Sequence, residues 1–356
     1  MKLSKLFFSD ISLLFVFIVF VRISDGAVNY KLTSFINDMH GNVSLWLGKR
    51  QASAVTYVDW CNNSIGWFYP LDMDPIWKQS SIPIITWKIA QCNHGDSGDP
   101  GIMKLVAAGS FDSYINYFAD RLKQWLAGPD GIYGNDDDRR AYLRPGHEMN
   151  GNWYSWSSGS TPSDYIAGWH HTYELVTGRG LDPTRLQWIW SVNAPDVGQY
   201  KAEDYWVGDS YTHWLGIDGY NWGSSQSWSH WETPSDVFDD MISRLRKLSP
   251  SKPLSFNEYG TVSVRVGNTS DVQSKNEWLR QMCDYFNIHN VKMPSYFNVD
   301  EPHQDIMIFG GTYGDTVWNN FNTYSAYKNC LQSNDWIEPN ITNPRLITDD
   351  QFAGRF

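Results

Sequence analysis

Short runs rich in β-branched and aromatic residues alternate with stretches of helical spacing along most of this chain, and that alternation is its strongest constraint on fold. The β-type runs are Ser44–Gly48, Ala54–Trp60, Ile82–Ile89, Ala141–His147, Leu186–Asn193, Trp214–Trp222, Pro253–Glu258 and Met293–Asn298. Among the intervening stretches, Asp112–Ala127 sets Tyr114, Tyr117, Phe118, Leu122 and Trp125 at helical spacing. Thr161–Thr177, Thr233–Leu248, Asp271–His289 and Phe321–Leu331 read likewise. Thr161-Pro162 and Thr233-Pro234 have the form of helix starts, a capping residue followed by proline in the first turn. Eight strands alternating with helices predict an α/β fold, a closed parallel (β/α)8 TIM barrel. The rival is an open nucleotide-binding sheet, but neither G-x-G-x-x-G nor a Walker pattern follows the first strand. No linker, repeat or low-complexity tract divides the chain, so residues 27–356 are expected to form one barrel domain.

Residues 1–26 have the makings of a signal peptide. Lys2 and Lys5 form a positive start, Leu6–Val21 is mostly apolar and interrupted by Asp10, and Ser24 and Gly26 stand at the −3 and −1 positions of a cut before Ala27. The run falls short of the ~20 clean apolar residues that a membrane span needs. A secreted, extracellular product is therefore expected. The 28 Lys+Arg against 39 Asp+Glu give a formal charge of −11, which argues against nucleic acid or an anionic membrane as partner. Four cysteines in an exported chain are consistent with disulfides. They allow three pairings, of which Cys61–Cys92 and Cys283–Cys330 is favoured because each pair falls on neighbouring elements. Asn42, Asn62, Asn268 and Asn340 open glycosylation sequons.

In a barrel of this kind, chemistry gathers where strands end and βα-loops begin. The fourth predicted strand ends in Arg144-Pro-Gly-His147-Glu148-Met-Asn-Gly-Asn-Trp153, and the seventh in Phe256-Asn257-Glu258-Tyr259-Gly260. Two carboxyl groups at two strand ends on one rim are what glycosidic cleavage requires. One protonates the departing oxygen, and the other supplies electrons to the anomeric carbon. Period-two alternation puts Arg144, Gly146 and Glu148 on one face of their strand, and Leu254, Phe256 and Glu258 on one face of theirs. If those faces point inward, both glutamates converge over the barrel mouth. Glu148, close to an ionised partner and among Trp153 and Trp156, is expected to hold its proton.

The first of these runs resembles the acid/base signature of family 26 glycoside hydrolases, mostly β-mannanases, and Asn257-Glu258-Tyr259-Gly260 resembles their nucleophile segment. Related barrel glycosidases generally carry Asn before the acid, where this family carries His. The resemblance spans the mature chain and implies a (β/α)8 catalytic domain with Glu148 as general acid/base, Glu258 as nucleophile and net retention of configuration. It also implies that His147 and Trp153 line the subsite around the cleaved bond. Tyr220 matches a tyrosine that hydrogen-bonds the nucleophile, and Arg144 an arginine that contacts the same carboxylate. Retention in turn predicts carboxyl groups roughly 5–5.5 Å apart. The implied activity is endo-hydrolysis of β-1,4-mannan or glucomannan, plant-type polysaccharides, by a monomer without metal or cofactor. Two departures bear on the sugar. The last strand ends Tyr296-Phe297-Asn298 without a tryptophan, and Thr86-Trp87 is similar to members acting on mixed-linkage β-glucan. A mixed-linkage β-1,3-1,4-glucanase or a β-1,3-xylanase on the same scaffold is the alternative; outside enzymes, it is an inactive carbohydrate-binding barrel.

Trp87, Trp156 and Trp222, at or just past strand ends, are candidate sugar platforms, whereas Trp188 and Trp190 are expected to pack. The acidic loop Asp130–Asp138 lacks EF-hand spacing and reads as a solvated loop. A zinc-protease motif fails at Gly151, where the second histidine would stand, and no Gly-x-Ser-x-Gly elbow supports serine hydrolysis.

Overall fold

A computed structural model of the protein describes residues 17–21, 31–33, 41–61, 65–66, 68–92, 94–265, 269–299 and 304–356. Its main sheet contains β1 (Phe17–Val21), β2 (Lys31–Thr33), β3 (Ser53–Trp60), β4 (Ile82–Gln91), β5 (Ala141–Pro145), β6 (Leu186–Asn193), β7 (Trp214–Asn221) and β8 (Leu254–Thr261). After a small hairpin of β9 (Val264–Arg265) and β10 (Thr269–Ser270) comes β11 (Val291–Tyr296). Strands β3 to β8 and then β11 pair in parallel in chain order. β1 pairs antiparallel with β2 and β3, and β1 and β2 lie against β11 on the far side of the curl. The architecture is the expected (β/α)8 barrel, with helices outside.

β6 runs Leu186–Asn193 as predicted, and six more predicted strands agree to within a few residues. The first does not. Residues Asn42–Leu47 form a helix, not the expected strand over Ser44–Gly48. Val43, Trp46 and Leu47 are its buried residues, an i, i+3, i+4 stripe that a helix satisfies and a strand cannot. Left-handed glycines, Gly41 and Gly48, bracket it. The predicted helix Phe321–Leu331 is likewise shorter. Asn319 and Asn320 have φ of 45° and 68° and turn a hairpin between β12 (Thr316–Trp318) and β13 (Phe321–Thr323); the helix is Ser325–Leu331. A last short strand, β14 (Trp336–Ile337), pairs with β2.

Both Thr-Pro starts are capping boxes. Thr161 and Thr233 each accept from the backbone three residues on, and Asp164 and Asp236 return the bond. The disulfides are Cys61–Cys92 and Cys283–Cys330, the favoured pairing. Asp138, in the acidic loop, is buried and ion-paired with Arg185. The signal-peptide reading falls on residues outside those described, except for Phe17–Val21. Asn62 and Asn268 also lie outside them. Among the described residues no helix is long and apolar enough to cross a membrane.

Candidate active site

Glu258 sits on β8 beside a register irregularity: Ile217 pairs with Phe256, but the next residue, Asp218, pairs with Glu258. Asn257 is the extra residue of a bulge, which resets the side-chain alternation. Phe256 therefore faces outward against Phe238, Tyr285 and Phe286, while Glu258 faces the barrel mouth. The expectation that Leu254, Phe256 and Glu258 share one face is corrected accordingly. Glu148 also reaches the mouth by a different route from simple alternation. β5 stops at Pro145; Gly146 (φ 50°) and Glu148 itself (φ 53°) are left-handed. At Gly146 a Cβ would stand 3.0 Å from Ile89. A left-handed glutamate is a costly conformation held by its surroundings, here including the bond from its N–H to the Ser191 carbonyl at 2.9 Å.

Three donors converge on Glu258. Arg144 Nη2 and the Tyr57 hydroxyl each lie 2.6 Å from Oε1, and the Tyr220 hydroxyl donates to Oε2 at 2.7 Å. Both oxygens thus act as acceptors, as a carboxylate's do. Arg144 is fully buried; Thr86 Oγ1 accepts from its Nε and Nη2, and Asp218 accepts from its Nη1 at 2.7 Å. Behind it, Asn257 Nδ2 donates to Ser191 Oγ (3.0 Å), and Ser191 Oγ donates to Asp218. A Cβ at Gly216 would fall 2.2 Å from Asn257 Nδ2, so glycine there makes room for this buried network.

The other carboxyl is different in kind. Burial, reinforced by the nearby charge of Glu258, pushes Glu148 up to about 8. Trp153 Nε1 donates to its Oε2 at 2.9 Å. His147 Nε2 lies 3.9 Å from Glu258 Oε1. Burial, with Arg144 and Lys88 nearby, holds this imidazole well below its usual range, hence neutral. Its ring packs against Tyr154, which stacks on Trp156 at 4.2 Å. One carboxyl that keeps a proton beside one that only accepts can donate a proton and offer a nucleophilic oxygen across the same space.

Among the sequence-predicted site residues, the structure brings together Arg144, His147, Glu148, Trp153, Tyr220 and Glu258. Trp222 stacks on Tyr220, with centroids 5.1 Å apart. Two candidates are placed elsewhere. Trp87 is wholly buried, facing away from the mouth and stacked on Phe118 of the outer helix Asp112–Leu126 at 4.0 Å. Trp156 is also buried and donates to the His147 carbonyl at 2.7 Å; it braces the loop that carries Glu148. Neither offers a face to a sugar. Tyr57, Ser191 and Asp218 are not singled out from sequence, and Thr86 enters there only through the Thr86-Trp87 likeness, not as a partner of Arg144. Tyr57 shares a face of β3 with Val55 and Asp59, a signal too weak to mark it until the barrel places β3 opposite β8.

Residues 136–247, from just before β5 through the helix Pro234–Leu248, match the family profile described as Glycosyl hydrolase family 26. That stretch is similar to glycosyl hydrolase family 26. The matched stretch holds Glu148 and Tyr220; Glu258 lies beyond it. Among relatives, the chain is 29% identical over 215 residues to "Endoglucanase H" of Acetivibrio thermocellus, covering 58% of this chain and 21% of the relative. It is 23% identical over 205 residues to "Mannan endo-1,4-beta-mannosidase A and B" of Caldalkalibacillus mannanilyticus, covering 54% and 36%. The chain thus aligns with between a fifth and just over a third of the length of these curated relatives. Its fold is similar to the catalytic domain of a GH26 endo-beta-1,4-mannanase from Bacillus sp. JAMB-750, with TM-score 0.56 and 17% identity, covering 82% and 78% of the two chains.

Proposed function

We propose that the protein is a secreted, retaining endo-glycosidase that hydrolyses β-1,4-mannan or glucomannan by double displacement. What carries this reading is the contrast between a protonated Glu148 and a Glu258 fixed by Arg144, Tyr57 and Tyr220. A Glu258 oxygen bonds to the anomeric carbon as the glycosidic bond breaks, and Glu148 gives its proton to the departing oxygen. Glu148, now a carboxylate, takes a proton from water; the resulting hydroxyl adds to the anomeric carbon and releases Glu258. Arg144 and the two tyrosines orient the nucleophile, and neutral His147 can hydrogen-bond substrate without competing for that proton. The relative named for mannan supports the choice of sugar.

A second reading, a β-glucan such as the mixed-linkage polymer, is supported as to glucan by the relative named endoglucanase, which aligns with the larger share of this chain. Assaying the purified protein on galactomannan, mixed-linkage β-glucan and β-1,3-xylan separates the readings by rate. Glu258→Ala should abolish turnover while oligosaccharide still binds. An unmutated protein that binds sugar but cleaves none would instead be a lectin. Export with cleavage before Ala27 is part of the proposal, and N-terminal sequencing of the secreted product should begin at Ala27. A product that retains Phe17–Val21 contradicts it.

A further inference from the structure

We propose that Trp228 is a sugar platform at the outer end of the cleft, stacking a hexose unit of a polysaccharide chain beyond Trp222. This role rests on the polysaccharide-hydrolase reading. An aromatic row leads out from the nucleophile. Tyr220 donates to Glu258, Trp222 stacks on Tyr220 at 5.1 Å and 29°, and Trp228 meets Trp222 edge-on at 6.5 Å and 65°. All three stand on β7 or in the loop leaving its C-terminal end, the rim where barrel sites form. The inner rings are half-buried, but Trp228 is 70% exposed.

That exposure belongs to a braced loop. The buried Asn221 side chain accepts from the N–H groups of Gly223 (3.0 Å) and Glu232 (3.1 Å), pinning both ends. Ser225 Oγ donates to the Trp222 carbonyl at 2.7 Å, and Ser229 Oγ to the Gly223 carbonyl at 2.6 Å. Gly223 has φ of 51°, and a Cβ there would press on Trp231 at 3.1 Å, so the turn suits glycine. A loop fixed on both sides of an outward-pointing indole presents it ready-made, without an ordering cost on binding. Ser225, Gln226, Ser227 and Ser229 flank Trp228 along the chain, so the ring that leans on Trp222 is bordered in its loop by polar residues. A flat apolar ring edged by hydroxyl and amide groups matches a pyranose, whose C–H face is apolar and whose rim is polar.

The test is binding as a function of chain length, by calorimetry in a Glu148→Gln background that leaves oligosaccharide uncleaved. The probes are trimeric and hexameric manno- and mixed-linkage gluco-oligosaccharides. Adding Trp228→Ala should weaken hexamer binding roughly tenfold, the effect of re-exposing several tens of Å² of apolar surface. The trimer should lose less than about twofold by the same reckoning, and Trp228→Phe should restore most of the hexamer affinity. An unchanged hexamer, or equal losses for trimer and hexamer, overturns the platform. If the background protein binds neither hexamer, and the unmutated protein cleaves none of the polysaccharides, the hydrolase reading itself fails.

Discussion

Glu148 sets the alkaline limit of the proposed reaction. A general acid must carry its proton, and burial beside Glu258 keeps that proton on up to about pH 8. The pH profile of kcat/KM should therefore fall on its alkaline side with a midpoint near 8, and a midpoint near the ordinary carboxyl value of 4.5 contradicts the assignment. On the other carboxyl, the contact least visible in sequence is Tyr57. Burial and then the charge of Glu258 raise its phenol far above the usual range, so the hydroxyl remains a donor. Tyr57→Phe removes a hydrogen bond to a charged group. A loss of about tenfold to a hundredfold in kcat/KM should follow; wild-type kinetics would show that Arg144 and Tyr220 suffice to hold the nucleophile.

At the level of elements, boundaries written in local chemistry were legible, and those set by pairing were not. The Thr-Pro starts announced capping boxes, and Thr161→Ala should cost about 1 kcal/mol in a denaturation series; no loss would mean that Asp164 alone satisfies the helix start. The strands at Leu186–Asn193 and Trp214–Asn221 stand out as short, largely apolar and aromatic runs between longer stretches of helical spacing. Asn42–Leu47 is read as a strand over Ser44–Gly48 because a segment of six residues has no decisive period until its buried face is known. The bulge at Asn257 left no local mark, since it exists only in the register between β7 and β8. Alternation therefore brings both glutamates to the mouth by the wrong geometry: Glu148 depends on left-handed backbone, and Glu258 on a skipped pairing. Trp87 had the composition and strand position of a platform, but its inward or outward direction is a property of the barrel.

For the whole molecule, the site competes with stability. Glu148 binds its proton in the folded state up to about pH 8, against 4.5 when unperturbed. Between those values the folded form holds more protons than the unfolded one, so this group makes the protein less stable as pH rises through that window. Glu148→Gln should thus raise the melting temperature at pH 8–9 and leave it nearly unchanged near pH 4. The reverse ordering contradicts a raised acid. The same barrel brings β3, β5, β7 and β8 together so that Tyr57, Arg144, Tyr220 and Glu258 meet, though the sequence separates them widely. The most direct test of that convergence is the anomeric configuration of the first product, followed by proton NMR during early hydrolysis of a β-linked oligosaccharide. The account predicts that the β-anomer appears first and mutarotates later; initial appearance of the α-anomer would show inversion and contradict Glu258 as nucleophile.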